Sequence, residues 1–118
     1  MAIVNITTEN DADFIRGFIY QTNAEPPVPV DLTGNTMRMG IRRRAEDATE
    51  EMLLTTNVGG GLVITDPVNG RFTLAIKQKQ LLELPVGEYE HSLIRTTPAG
   101  DQLRIWSGSL INNAGASR

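Results

Sequence analysis

His91 is the only histidine of the chain, and with its neighbours Glu90 and Ser92 it combines residue types used in acid–base and nucleophilic catalysis. A catalytic histidine needs a nucleophile to activate and a third group to orient it. The sequence around His91 contains no recognised motif of this kind. A partly buried packing role on an alternating strand accounts for this histidine better. We therefore predict no catalytic residue and a protein that is not an enzyme.

Three consecutive arginines, Arg42, Arg43 and Arg44, could bind phosphate groups or a protein partner. Consecutive residues of a strand point to opposite faces, and acidic residues follow at once at positions 46, 47, 50 and 51. The formal net charge of −3 and the pI near 5.1 argue against a protein that binds nucleic acid by neutralising its phosphates. We favour a solvated strand end, keep a protein contact as the alternative, and predict no nucleic-acid partner.

Two acidic stretches and one glycine run could suggest ion or phosphate binding. Asn10–Asp13 and Asp66–Asn69 lack the ordered ligand spacing and the bidentate glutamate of an EF-hand calcium loop. Gly59–Gly61 is not followed by the Gly-Lys-Ser/Thr of a phosphate loop. The chain has no cysteine, which removes disulfides and thiolate ligands and suits assembly in a reducing cytoplasm. We predict turns at all three stretches, with no metal site and no cofactor.

Hydrophobic residues recur with a period of two, which predicts strands rather than helices. In one such run Met37, Met39 and Ile41 alternate with other residues. Glycine- and proline-containing turns separate the runs at intervals of roughly 8–15 residues, as in a β-sandwich. The predicted strands lie near 13–22, 35–44, 51–57, 61–66, 71–77, 88–96 and 102–111. A short edge strand at 3–7 and one helical turn at 78–84, ending at Pro85, are also expected.

The length of 118 residues suits a single domain covering 1–118. Within it we expect 1–12 to form a short N-terminal arm or edge strand. The small, polar residues of 112–118 predict a loose C-terminal tail. The sequence shows neither a signal peptide nor an apolar run of the ~20 residues that a membrane helix needs, so no membrane partner is expected.

Gly87 and Tyr89 indicate a structural corner, because they follow Pro85 at the start of the predicted strand 88–96. In immunoglobulin-like sandwiches a tyrosine at this place hydrogen-bonds back to the connecting backbone. This role is favoured over ligand binding by Tyr89. The predicted fold is therefore an all-β, immunoglobulin-like antiparallel β-sandwich of about seven strands with one short helical turn.

Two continuous apolar runs, 52–54 and 62–64, cannot lie on half-buried strands without exposing some apolar side chains. Either neighbouring loops bury both faces, or another subunit covers the exposed part, and both hypotheses remain open. Unpaired sheet edges offer a further contact surface. The candidate partner contacts from this reasoning are Arg42, Arg43, Arg44, Met52, Leu54, Leu62 and Ile64.

Six short motifs follow one another in the chain: Asp31–Gly34, Met37–Arg42, Asn69–Leu74, Leu84–Tyr89, Gly100–Asp101 and Leu103–Gly108. In this order and spacing they resemble small immunoglobulin-like proteins encoded in phage and prophage tail regions. The resemblance is to the immunoglobulin-like N-terminal domain of phage baseplate upper proteins, and it covers about Phe14 to Ile111. In that family the strand after the corner often reads tyrosine-x-tyrosine-aspartate-leucine, of which only Tyr89 and Leu93 match here.

The resemblance implies a structural virion component, made in the cytoplasm of the bacterial host. It would be a tail- or baseplate-associated adaptor or accessory protein that contacts other virion proteins, in many copies within a symmetric assembly. The resemblance leaves a head or neck location open. The alternative is a receptor- or carbohydrate-binding module at a fibre or particle surface, for which Tyr20 and Trp106 are the aromatic candidates.

Overall fold

The computed structural model describes residues 2–118, and the secondary structure of this part is mostly strand. A 3₁₀ turn lies at Pro67–Asn69, and the single helix, α1, spans Gln78–Glu83. The seven predicted strands and the predicted helical turn are all present, with ends that shift by a few residues. The strands are β1 Ala2–Ile3, β2 Ile6–Glu9, β3 Phe14–Ile19, β4 Thr36–Arg42, β5 Met52–Thr55, β6 Leu62–Asp66, β7 Arg71–Ile76, β8 Gly87–Thr96 and β9 Gln102–Asn113.

The strands form two sheets that pack face to face as a sandwich. The large sheet has the order β1–β9–β8–β4–β5, with β2 also paired to β9, and the small sheet has the order β3–β7–β6. This arrangement is immunoglobulin-like, which confirms the predicted fold class. The N-terminal arm departs from an antiparallel sandwich, because β1 and β2 both run parallel to β9.

The core lies between the inner faces of the two sheets and follows the period of two. Met37, Met39 and Ile41 are buried on β4, and β7 buries its alternate residues Phe72 and Leu74. Burying one such side chain contributes about 1.5–3 kcal/mol, so this repeated alternation is the main source of stability. The alternation also fixes the register of strand pairing, because a shift of one residue would turn these side chains to solvent.

A β-bulge in β9 interrupts the alternation near its start. Leu93 pairs with Trp106 but Ile94 pairs with Arg104, so that Ile105 is an extra residue. Both Ile105 and Trp106 are consequently buried. The indole of Trp106 packs against the ring of Phe18 at 4.6 Å between centroids. The prediction that Trp106 could stack on a sugar is therefore wrong, because the bulge turns this side chain into the core.

The predicted edge strand at 3–7 is divided at Val4 and Asn5. Val4 N still donates to the Ser107 carbonyl at 2.9 Å, but the Asn5 side chain replaces the backbone by accepting from Ser109 N at 3.1 Å. The Val4 carbonyl lies against Gly108, where an added Cβ would stand only 1.9 Å from the carbonyl oxygen. Gly108 is thus required by the close approach of the arm to β9.

The C-terminal segment is held in place at its start, contrary to the predicted loose tail from residue 112. Asn112 belongs to β9 and is fully buried. Its amide nitrogen donates to the carbonyls of Leu81 and Leu84 at 3.0 and 2.9 Å, at the C-terminal end of α1. Gly115 N donates to Asn10 Oδ1 at 2.9 Å. The prediction overlooked that an asparagine in a strand can satisfy the free carbonyls of a helix end.

Candidate interaction surfaces

The apolar side chains predicted to contact a partner belong to the core instead. Leu54 and Leu62 are fully buried, while Met52 and Ile64 are partly buried and pack against the core cluster. The sheet register explains this, since Leu54 pairs with the buried Met39 of β4. The prediction of an exposed contact is therefore wrong for Leu54 and Leu62, whereas Met52 and Ile64 pack against the core but are partly exposed, and for them it stays a prediction. The exposed members of the two runs are their middle residues, 53 and 63.

The outer face of the small sheet carries exposed apolar side chains from two strands. Ile15 and Ile19 of β3 are 63% and 45% exposed, and Val63 of β6 is 58% exposed. Gly17, Thr73 and Val63 lie in one row across the sheet, because Thr73 of β7 pairs with both of the others. We call this surface the small-sheet face; it comprises Ile15, Gly17, Ile19, Val63, Arg71, Thr73 and Ala75. Its centre is flat, since nothing lies within 4 Å of the position that a Cβ on Gly17 would occupy.

The free edge of β3 is poorly suited to pairing with another strand. Arg16 points to the inner side of this edge strand, and its guanidinium lies 4.9 Å from the centre of the Phe18 ring. An inward-pointing charge on an edge strand opposes the addition of a further strand, because pairing would bury it. The β3 edge is therefore protected against the addition of a further strand.

Two of the three consecutive arginines hold the loop between β4 and β5. Arg42 forms an ion pair with Glu50 at 3.5 Å and donates to the carbonyls of Asp47 and Ala48 at 3.1 and 3.0 Å. Arg43 lies over the ring of Tyr89, 4.5 Å from its centroid. The side chain of Arg44 is exposed to solvent. Among the described residues, Arg44 is therefore the one arginine of the three whose side chain makes no such contact.

The corner before β8 is organised by Tyr89, whose hydroxyl donates a hydrogen bond to the Pro85 carbonyl. Burial raises the pKa of Tyr89, and the nearby Arg43 opposes this shift. Glycine is favoured beside it at position 87, because the φ of Gly87 is 151°, a backbone conformation that other residues rarely adopt. Gly87 and Tyr89 therefore have structural roles that place the connection between α1 and β8.

His91 is buried beneath the N-terminal arm, with only 5% of its surface exposed. Nε2 lies 3.1 Å from the Ser109 carbonyl, while Nδ1 has no hydrogen-bond partner among the described residues. Burial lowers the pKa of His91, and hydrogen bonding to the backbone at Ser109 and Val4 partly opposes this. Glu90 and Ser92 lie on the opposite face of β8, so the structure does not bring these three neighbours together.

The stretches considered for ion binding fold as turns. Asn69 Nδ2 donates to Asp66 Oδ2 at 2.9 Å beside the 3₁₀ turn. Gly60 N donates to the Asn57 carbonyl at 2.8 Å in the glycine run. Residues 2–118 contain no cluster of three or more histidine, aspartate or glutamate side chains placed to hold a metal ion. In the same part of the chain, no helix is long and apolar enough to cross a membrane.

The outer face of the large sheet is polar and carries a groove of about 540 Å³. Its floor is the row Gly40, Ser92 and Ser107, which are paired across β4, β8 and β9. We call this feature the cross-groove, because the row of its floor crosses the strands. One bank is the row Arg38, Ile94 and Arg104, and the other is the row Arg42, Glu90 and Ser109. The sequence does not reveal the groove, since its residues meet only through the register of three strands.

The sequence matches no protein-family model and no curated protein. Among solved structures it is similar to murine CRIg, with 16% identity, a TM-score of 0.42 and coverage of 94% of this chain and 92% of that one. The major subunit AggA of Escherichia coli aggregative adherence fimbriae type I has 12% identity and a TM-score of 0.36, with 94% and 89% coverage. The V domain of amphioxus IgVJ-C2 has 13% identity and a TM-score of 0.28, with 92% and 99% coverage. The likeness is one of an immunoglobulin-like β-sandwich alone.

Proposed function

We propose that this protein is a structural component of a phage or prophage virion, a tail- or baseplate-associated adaptor or accessory protein that acts through contacts with other virion proteins. The proposal combines the motif resemblance between Phe14 and Ile111 with the small-sheet face. That face is the single structural observation that carries it, because three β-branched apolar side chains, Ile15, Ile19 and Val63, project from one sheet into solvent.

Such a face gains free energy when another surface covers it. Removing apolar area from water contributes roughly 25 cal/mol per Å², whereas the isolated protein leaves this area hydrated. A face of three short strands gives a small contact, which is weak alone. In a symmetric assembly of many copies the same weak contact is repeated and the contributions combine. A multi-copy particle therefore suits this surface better than a single tight complex does.

The receptor- or carbohydrate-binding alternative loses its main structural support. Trp106 is in the core, and Tyr20 is partly buried with the Arg95 guanidinium 5.6 Å from its ring centre. No phenylalanine, tyrosine or tryptophan lines the cross-groove in the described part of the chain. A sugar site normally presents an exposed aromatic platform, so the protein-contact function is the better supported of the two.

The test compares two valine-to-lysine variants in particles of the phage or prophage that carries this coding sequence. Val63→Lys places a charge on the small-sheet face, and Val58→Lys makes the same change in the loop at 57–61, where Val58 is fully exposed. Both variants should fold, because neither side chain is buried. We expect Val63→Lys to lower the copy number per particle at least about tenfold, because a buried unpaired charge opposes the contact, and Val58→Lys to leave it unchanged.

Quantitative mass spectrometry of purified particles measures the copy number, and thermal unfolding of the isolated variants controls for stability. Equal incorporation of Val63→Lys and the unaltered protein would remove the small-sheet face as the contact. Absence of the unaltered protein from intact particles would refute the virion role itself.

A further inference from the structure

Resting on the proposed function, we propose that the cross-groove binds an extended segment of a partner protein, with acidic side chains along one side and basic side chains along the other. The groove lies on the large sheet, on the opposite side of the sandwich from the small-sheet face. It would therefore give the protein a second contact of different chemistry and allow it to connect two components.

The floor of the groove allows a backbone to come close to the sheet. Ser92 and Ser107 are neighbours at its centre, and Gly40 continues the row on β4. The side chains of Ser92 and Ser107 are small, and their hydroxyl groups offer both hydrogen-bond donors and acceptors to a peptide backbone. Glu50 closes one end, since its Oε2 lies 2.6 Å from the position of an added Cβ on Gly40.

The length of the floor sets the length of the occupant. The carboxylate of Glu50 occupies the space above Gly40, so the open part of the row runs from Ser92 on β8 across β9 to Ile3 on β1. Adjacent strands are about 4.8 Å apart, so two intervals span roughly 10 Å. An extended chain advances about 3.3 Å per residue, and about three residues therefore fill the open part of the groove.

The first bank is cationic. Arg38 and Arg104 flank Ile94 in one row, which places their Cα atoms about two strand spacings, or roughly 10 Å, apart. Arg38 is exposed, and its guanidinium makes no ion pair with another side chain in residues 2–118. This row contains no acidic residue, and Arg38 offers its positive charge to an incoming carboxylate.

The second bank has the opposite sign. The charge of Arg42 is already offset by Glu50 at 3.5 Å. Glu90 lies next to Arg42 in the row and accepts a hydrogen bond from Ala45 N, and Glu88 extends the acidic side beyond it. The uncompensated charge on this side is therefore negative. Alternate side chains of an extended segment point in opposite directions, so alternating acidic and basic residues match both banks at once.

A synthetic probe of this pattern tests the inference without any particle. The probe is acetyl-Glu-Lys-Glu-Lys-Glu-Lys-amide, and the control peptide of equal composition is acetyl-Glu-Glu-Glu-Lys-Lys-Lys-amide. Titration into the isotope-labelled full-length protein is followed by amide NMR shifts. We expect saturable shifts at Ser92 and Ser107 with the alternating peptide, at roughly millimolar affinity, and at least about tenfold weaker binding of the block peptide.

Charge reversal then identifies the bank. Arg38→Glu should weaken binding of the alternating peptide about tenfold, because it replaces an attraction by a repulsion. Arg44→Glu is the matched control outside the groove and should leave the affinity within twofold. Equal binding of the two peptides, equal effects of the two substitutions, or no shifts at the groove would each overturn the proposal. These readouts are independent of particle incorporation, so failure of the groove and failure of the virion role are told apart.

Discussion

Replacing Asn112 by alanine tests how far one buried side chain stabilises the sandwich. Asn112 joins three parts of the fold: its amide nitrogen donates to Leu81 and Leu84 at the end of α1, and its Oδ1 accepts from Thr8 Oγ1 of the N-terminal arm at 2.9 Å. Alanine removes all three hydrogen bonds at once. It also leaves the two helix-end carbonyls and the threonine hydroxyl without these partners.

The magnitude follows from the count of bonds. One intramolecular hydrogen bond contributes about 1 kcal/mol net, and a buried group left without a partner costs about 1–3 kcal/mol. Three bonds therefore give a loss of roughly 3 kcal/mol, which is a large share of the ~5–15 kcal/mol that stabilises a typical domain. Asn113→Ala is the matched control, since Asn113 is partly exposed and the hydrogen bond from its Nδ2 to Glu9 Oε1 is long, at 3.5 Å. Its expected cost is below about 0.5 kcal/mol.

Urea unfolding, monitored by the fluorescence of Trp106, the only tryptophan, measures the loss of free energy of unfolding in both variants. For Asn112→Ala, the urea concentration at the midpoint of unfolding should be well below that of Asn113→Ala. The slope of the free energy of unfolding against urea concentration should be unchanged. Asn112→Asp provides a second measure. The carboxylate keeps the oxygen that accepts from Thr8, but its second oxygen replaces the nitrogen that donates to Leu81 and Leu84. A loss below about 1 kcal/mol in Asn112→Ala would refute the assigned role of this side chain.

The remaining predictions concern two buried groups on β8. Tyr89→Phe should lower the free energy of unfolding by about 1 kcal/mol, because it removes the hydrogen bond from the Tyr89 hydroxyl to the Pro85 carbonyl. Tyr20→Phe serves as the control, and equal losses in the two variants would contradict the corner role of Tyr89. Because burial lowers the pKa of His91 from its ordinary value of 6.5, the unfolded chain binds the proton more readily. Stability should therefore fall as the pH drops below about 6.5, by up to ~1.4 kcal/mol per pH unit until the folded-state pKa is reached. His91→Gln should remove this part of the pH dependence, and identical slopes for the two proteins between pH 7 and 5 would contradict it.

The alternation of apolar residues carried most of the fold prediction. Burial on one face of β4 and β7 requires a period of two, and the turns between strands need glycine or proline at defined places. The strand assignments and the short helix therefore followed from the sequence. The β9 bulge did not, because an extra residue is recognised only once the partner strand is known. For the same reason the sequence leaves Trp106 as a candidate for sugar stacking, although it lies in the core.

The exposed surfaces were predicted less well, for a related physical reason. In the runs 52–54 and 62–64 every residue is apolar, so the pattern does not say which side chains face inward. The structure buries Leu54 and Leu62 and exposes the residue between the ends of each run. β3 presents the same ambiguity, since Phe14 and Ile15 are adjacent and both apolar. Only the sheet register decides that the phenylalanine packs inward and the isoleucine joins the small-sheet face.

The two serines at the floor of the cross-groove are hard to explain by stability alone. They pair directly across the central strands β8 and β9, where larger β-branched or aromatic pairs would stabilise the sheet by about 0.2–1 kcal/mol. Gly108 is required because the Val4 backbone carbonyl occupies the space of a side chain, and the Glu50 carboxylate fills the space above Gly40. Ser92 and Ser107 are partly exposed on the outer face, where larger side chains would extend into the groove. Their small size therefore favours the close approach of another backbone over the strength of the sheet.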